Sequence, residues 1–301
     1  MTTDDFSAWI GRTETVHDDL AHTQLLAAAA TFDEPMGGPT DNSGLTQTGP
    51  IAIPPLWHWF YFLPRAPQHQ LSVDGHPERG NFMPPVPLPR RMFAGSRVEI
   101  HAPLHVGVPA RREGVIRHVA MKSGKSGRLA FVTVGYTIWQ GDTVCIEEEQ
   151  DIVYREPGSP VPAPAAMPLA EPTDGSWWRE ITPDARLLFR FSALTFNAHR
   201  IHYDREYAMR EEGYPGLVVH GPLNAVLLAN LVRTHTAQPI AAFSFRGIGP
   251  LFDLAPYRLV AAQEENTVSC EAIAPDGRVA IQATARLVTT PTGYVGHRGQ
   301  D

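Results

Sequence analysis

Two stretches of the chain alternate apolar and polar residues and then turn back on themselves. The first, FVTVGYTIWQGDTVCIEEEQDIVYRE (131–156), is rich in β-branched residues and breaks at Gln140-Gly141-Asp142. The second, NTVSCEAIAPDGRVAIQATARLVTT (266–290), breaks at Pro275-Asp276-Gly277. Alternation either side of an Asp/Gly turn predicts a β-hairpin in each place. A slide of 135 positions lays Ile138 on Ile273, Val144 on Val279 and Ile146 on Ile281. Strand-like runs also precede each hairpin, at 97–106 and 114–121 in the first half and at 241–248 and 256–262 in the second. The shared order suggests two copies of one antiparallel-sheet unit, with two unrelated β-rich domains as the alternative.

Helical signals are fewer. Leu20 to Thr31 is rich in Ala and Leu, both strong helix formers. Asp204 is placed to N-cap REYAMREE, with Gly213 at C′ to end it. In LVVHGPLNAVLLANLVRTH (217–235), Pro222 suits a first helical turn, and Leu223, Val226, Leu227, Ala229, Asn230 and Leu231 leave almost no polar face. A helix apolar nearly all round must be wrapped, and the strands that follow it are the available wrapper. The expected class is therefore α+β, a helix layered on an antiparallel sheet. LLFRFSAL (187–194) reads as a strand. PPLWHWFYFLP (54–64) is an aromatic block in which Trp57, Trp59 and Phe60 suit a core and His58 a packed histidine, and the Pro-rich 64–95 reads as an irregular surface excursion.

Residues 157–176 hold six prolines and read as an extended, semi-rigid connector. They separate 1–156 from 177–301, each the size of one domain.

With 43% hydrophobic and 19% charged residues, the chain can bury a substantial core. A net charge of −7 argues against nucleic acid as partner. Of the 25 basic residues only Lys122 and Lys125 are lysines; the arginine forks suit carboxylate or phosphate. Cys145 and Cys270 are too few for a disulfide framework, so a reduced, cytoplasmic protein is expected. The N-terminus lacks the pattern of a signal or transit peptide, and no apolar run approaches the 18 residues of a membrane span. Thirteen histidines invite a metal, yet HExxH, CxxC and CxxH spacings are absent, as are GxGxxG, the Walker pattern and GxSxG. No metal or redox cofactor is expected. The acidic run Glu147–Glu149 reads as a solvated strand face.

One segment concentrates chemistry: FSALTFNAHRIHYDREYA (191–208), with Asn197, His199, His202 and Asp204. Polar groups on a loop held by rigid elements are a frequent site geometry. The run F-S-x-x-T-x-N-x-H-x-I-H-Y-D, followed by V-H-G-P, resembles the hydratase 2 segment of the MaoC-like hot-dog superfamily, [YF]-S-x-x-[ST]-G-D-x-N-P-x-H. With the last His on His202, Asn197 stands where the family has a catalytic Asp, His199 at its Asn and Arg200 at its Pro. The chain is similar to the mesaconyl-C4-CoA (3-methylfumaryl-CoA) hydratase-like subgroup, which has Asn there. PPLWHWFYFLP and DGHPERGNFMPPVPLPRRMFAG are similar to that subgroup's N-terminal hot dog.

The resemblance implies a fused double hot dog: an N-terminal dehydratase-like unit without the motif that shapes the acyl pocket, and a C-terminal unit carrying the active site. It implies reversible hydration of an enoyl-CoA, mesaconyl-C4-CoA to citramalyl-CoA first. Dehydration of a 3-hydroxyacyl-ACP and a non-catalytic acyl-thioester-binding hot dog are the alternatives. His202 is the acid/base, since an imidazole holds or releases a proton near neutrality. Asn197 holds the water, and the Gly221 N–H polarises the thioester carbonyl. His199 is a further candidate around the substrate, Arg246 meets CoA phosphates, and Arg90 and Arg91, or Lys122 and Lys125, supply a cation for phosphate or a free carboxylate. The partner is an acyl-CoA thioester, with neither nucleic acid nor membrane, and sheet edges make a homodimer an expected assembly.

Overall fold

In a computed structural model the described residues are 5–34, 50–124, 127–165, 167 and 173–289. Lys125 and parts of the connector lie outside them. Ten strands form one sheet: β1 (Thr13–Asp18), β2 (Arg90–Ile100), β3 (Ala110–Gly124), β4 (Gly127–Gln140), β5 (Thr143–Arg155), β6 (Trp177–Ile181), β7 (Ile240–Gly247), β8 (Tyr257–Glu264), β9 (Thr267–Ile273) and β10 (Val279–Leu287). Their order is β1-β3-β4-β5-β2-β7-β10-β9-β8-β6, and every pairing is antiparallel. Strands from before the connector fill one side and strands from after it the other. They meet at β2–β7, from Gly95 opposite Arg246 to Glu99 opposite Ala242. A Cβ on Gly95 would lie 2.4 Å from the Phe245 carbonyl oxygen, so the seam needs glycine there.

Both hairpins form, and they share an irregularity. In β5 the pairing skips Cys145, between Val144 and Ile146; in β10 it skips Ala280, between Val279 and Ile281. These two residues are also 135 positions apart. Each bulged carbonyl accepts two N–H groups from the chain leaving the second strand of its half, β2 or β7: Cys145 from His101 and Ala102, Ala280 from Ile248 and Gly249. A bulge leaves one residue unpaired in the ladder, and both halves use it to anchor a strand exit.

The apolar helix α4 (Gly221–His235) is buried from Leu223 through Val232 and packs on β2 and on all of β6–β10. At about 1.5–3 kcal/mol per fully buried large aliphatic side chain, this helix is a main support of the C-terminal half. Its polar Asn230 is met from the other half, by the Trp57 Nε1–H at 3.1 Å. Trp57 belongs to the aromatic block, a 3-10 turn over Trp57–Phe60, packed with Phe32 of helix α1 (His22–Phe32). Among the described residues no helix is long and apolar enough to cross a membrane.

Three expectations are corrected. LLFRFSAL is not a strand: it lies in helix α2 (Ala185–Leu194), N-capped by Asp184, whose carboxylate accepts the Leu187 N–H at 2.9 Å. Buried Leu188, Phe191 and Ser192 alternate with exposed Phe189 and Arg190 at helical spacing. The acidic run is not all solvated, because successive strand residues face opposite ways. Glu148 points inward, 4% exposed, and accepts hydrogen bonds from His58, Trp59, Ser96 and Gln150. Burial pushes its carboxyl up, but the donors, His58 foremost, outweigh burial and hold its pKa below the ordinary value. Finally, helix α3 (Arg205–Arg210) starts at the Asp204 cap, but Gly213 lies two residues beyond its C-cap Glu211 rather than at C′.

Candidate active site

The loop after α2 begins with a backbone constraint. Phe196 adopts φ +48°, a left-handed conformation, and it occupies the position where the resembled pattern has Gly, the residue that enters it without strain. The Asn197 Oδ1 then accepts the His199 N–H at 3.0 Å, closing the turn, and the amide nitrogen has no partner among the described residues. A short 3-10 turn, Arg200–His202, brings His202 inward. The His202 Nδ1–H donates to the Val218 carbonyl at 2.7 Å, while the Val218 N–H donates to the Ile201 carbonyl at 3.0 Å. These bonds fix the tautomer, and among the described residues Nε2 has no hydrogen-bond partner. Burial, against the opposing Val218 bond, lowers the His202 pKa to about 4, so the ring is neutral near pH 7.

His202 is one of a row of imidazoles. It stacks on His220, ring centroids 3.5 Å apart, and meets His199 edge-on at 5.3 Å. His220, the N-cap of α4, shares a 2.9 Å hydrogen bond with Ser192. Burial, then the His202 charge, keeps His220 well below the usual imidazole range; burial and neighbouring His76 do the same to His199.

His76 comes from the other half. Its ring lies 4.2 Å from that of His199, and its Nδ1–H donates to Asp74 Oδ2 at 3.0 Å. Burial, then the Arg91 charge, lowers its pKa to about 4 in spite of Asp74. Asp74 is ionised: burial raises its pKa, but the His76 bond and charge outweigh that. Asp74, His76 and His199 bring three donor atoms within 4.8 Å of one another, close enough for a metal. Two of these residues already share a hydrogen bond, however, and the neighbouring Arg91 and Arg79 charges oppose a cation.

The Asp74-Gly75-His76 turn is clamped to the loop it faces. The Arg200 N–H donates to the Asp74 carbonyl at 2.9 Å, and Arg200 Nη1 to that of Val73 at 3.2 Å. Gly75 holds φ +93°, and a Cβ on it would fall 1.7 Å from the Ala198 oxygen. The site is thus built by both halves. Asp74 and His76 were missed from sequence because they sit in the Pro-rich excursion; the readable signal was the D-G-H turn.

Asn197, His199, His202, Gly221 and Arg91 all line one cavity of about 1810 Å³, with Asp74 and His76. Gly221 opens α4, where the helix supplies no acceptor for its N–H. Buried Asn224, one turn on, lines the same cavity with an unpartnered Oδ1. Arg91 has no ion pair or hydrogen bond with another described residue, so its charge is available to the cavity. Arg90 and Arg246 lie elsewhere. Arg90 pairs with Glu212 and donates to the Glu211 carbonyl, tying β2 to the end of α3. Arg246 is exposed on β7, 3.4 Å from Gln282. Lys122, exposed on β3, lies over the Phe131 ring.

A helix wrapped in antiparallel sheet, with imidazole and a helix N-terminus facing one cavity, is built here on a fold shared with solved MaoC-like proteins. A MaoC-like dehydratase from Phytophthora capsici has the same fold, with a TM-score of 0.64 at 15% identity over 92% of this chain and 94% of that one. So does a Mycobacterium tuberculosis protein described as a double hot dog, with a TM-score of 0.56 at 12% identity over 93% and 96%. The chain belongs to the hydroxyacyl-thioester dehydratase type 2 family, which residues 56–253 match. It is 63% identical over 287 residues to the mesaconyl-C4-CoA hydratase of Chloroflexus aurantiacus, covering 95% of this chain and 99% of that protein.

Proposed function

We propose that this hydro-lyase adds water to mesaconyl-C4-CoA, giving citramalyl-CoA, and that Arg91 recognises the free carboxylate distinguishing this substrate from a simple enoyl thioester. The observation that carries the reading is Arg91 itself, a cation without an ion-pair or hydrogen-bond partner among the described residues, in the cavity that His202 also lines. The 63% identity to a mesaconyl-C4-CoA hydratase supports the same substrate. Asn197, His202 and Gly221 come from the C-terminal unit, 177–301, while the N-terminal unit, 1–156, shapes the acyl pocket and supplies Arg91.

The Gly221 N–H binds the thioester oxygen, where negative charge develops. The Asn197 amide nitrogen donates to the oxygen of the attacking water. His202 Nε2 takes a proton from this water as its oxygen bonds to the β-carbon and the double-bond electrons move into the thioester enolate. The His202 imidazolium then gives that proton to the α-carbon as the carbonyl reforms, leaving His202 neutral again.

The test is turnover of mesaconyl-C4-CoA, crotonyl-CoA and an enoyl-ACP, with products read by mass spectrometry. Citramalyl-CoA formed with the highest kcat/KM supports the reading. Preference for the ACP ester would move the chain to fatty-acid synthesis, release of free CoA would make it a thioesterase, and binding without turnover would make it a scaffold.

A further inference from the structure

We propose that His76, positioned by Asp74, is the second acceptor that holds the attacking water, replacing the carboxylate that Asn197 removes from the hydratase loop. The inference rests on the hydratase reading above and adds a catalytic residue from the other half of the chain.

A water that is to attack through one lone pair must have its two O–H bonds and its other lone pair directed elsewhere. Asn197 has less acceptor capacity than a carboxylate: its one side-chain oxygen already gives a lone pair to the His199 N–H, and its nitrogen only donates. His202 takes one O–H, and the remaining O–H needs a partner. His76 has the required form. Its Nδ1–H is committed to Asp74 at 3.0 Å, so Nε2 carries the lone pair, as Val218 arranges for His202. Asp74 is itself held, its Oδ1 accepting the His76 backbone N–H at 3.0 Å. The rings of His76 and His202 each pack against that of His199, at 4.2 and 5.3 Å between centroids, and both residues line the cavity.

The clamping of this turn is also informative. Arg200 binds two carbonyls of the segment, and only glycine at position 75 permits its contact with Ala198. A segment that merely covered the surface would not need such close registration with the catalytic loop. In the resulting step His76 gains no proton. The water leaves one proton on His202 and keeps the other as the β-hydroxyl, hydrogen-bonded to His76 Nε2.

The experiment compares His76→Leu, His76→Gln and Asp74→Asn with wild type, using mesaconyl-C4-CoA hydration and exchange of the α-hydrogens of butyryl-CoA in D2O. Exchange needs the base and the oxyanion site but no attacking water. His76→Leu is expected to lower kcat for hydration at least tenfold, with KM within about twofold and exchange retained. His76→Gln, which keeps an acceptor, should recover part of kcat, and Asp74→Asn, which frees the tautomer, should behave like His76→Leu. Wild-type kcat in folded His76→Leu overturns the proposal, as does equal loss of hydration and exchange. Activity removed by a chelator and restored by zinc also overturns it, in favour of a metal. Loss of both reactions in His202→Gln tests the underlying hydratase reading separately.

Discussion

His202 lies flat on His220, ring centroids 3.5 Å apart and planes 18° from parallel. Two stacked, buried imidazoles cannot both carry charge, and folding therefore selects their neutral forms. An unfolded histidine titrates near 6.5, whereas His202 and His76 are lowered to about 4 and His220 well below its ordinary value. Between these limits the unfolded chain binds more protons, so stability present above about pH 6.5 is lost as pH falls towards 4. Tm should drop steeply over that window, and His220→Asn should reduce the drop. A Tm unchanged from pH 7 to 4.5 would refute the buried neutral cluster.

His202→Gln should lower kcat for hydration by about 10²–10⁴-fold, the usual scale of general acid–base catalysis. Because the same substitution removes a bond to Val218, the comparison needs a melting curve beside the kinetics. Turnover left intact in the folded variant would exclude His202 as the base.

Arg91→Gln should act on one class of substrate. A charge-assisted contact to a carboxylate contributes about 1.5–3 kcal/mol, so KM for mesaconyl-C4-CoA should rise by roughly 10–150-fold. Crotonyl-CoA, with no second carboxylate, should react as before. Equal loss on both substrates would mean that Arg91 supports the fold or the CoA moiety instead.

Glu148→Leu removes an acceptor shared by His58, Trp59, Ser96 and Gln150. Stranding one side of a buried network costs about 3–5 kcal/mol, which urea unfolding would measure. Glu148→Gln, with one acceptor oxygen, should fall between. Trp59 also lines the cavity, so residual activity reports whether its indole stays in place.

Gly75→Ala should separate activity from global stability. The new methyl meets Ala198 in a turn whose residues are not part of the main core, so the Asp74–His76 turn must lift from the 197–202 loop. Activity is expected to fall at least tenfold while Tm changes by only a few degrees. Wild-type kinetics would show that the contact is dispensable.

The features legible in the chain alone were local ones. Periods of two around Asp/Gly turns marked both hairpins, the offset of 135 carried even to the bulges at Cys145 and Ala280, and the unbroken apolarity of 223–232 required a helix wrapped by sheet. These signals lie within a dozen residues, where side-chain periodicity follows backbone geometry. LLFRFSAL misled because a short apolar run fits either period, and its Asp184 cap decided for helix. Which polar groups become partners depends instead on contacts far apart in the chain. Glu148 resembles its exposed neighbours until four donors surround it, Arg90 resembles Arg91 until Glu212 engages one of them, and Asp74 and His76 join the site only because folding closes their loop onto Ala198 and Arg200. The 191–208 segment was legible as a motif; that the Asp74–His76 turn lies against it follows from tertiary packing, since no local pattern encodes a contact made across more than a hundred residues.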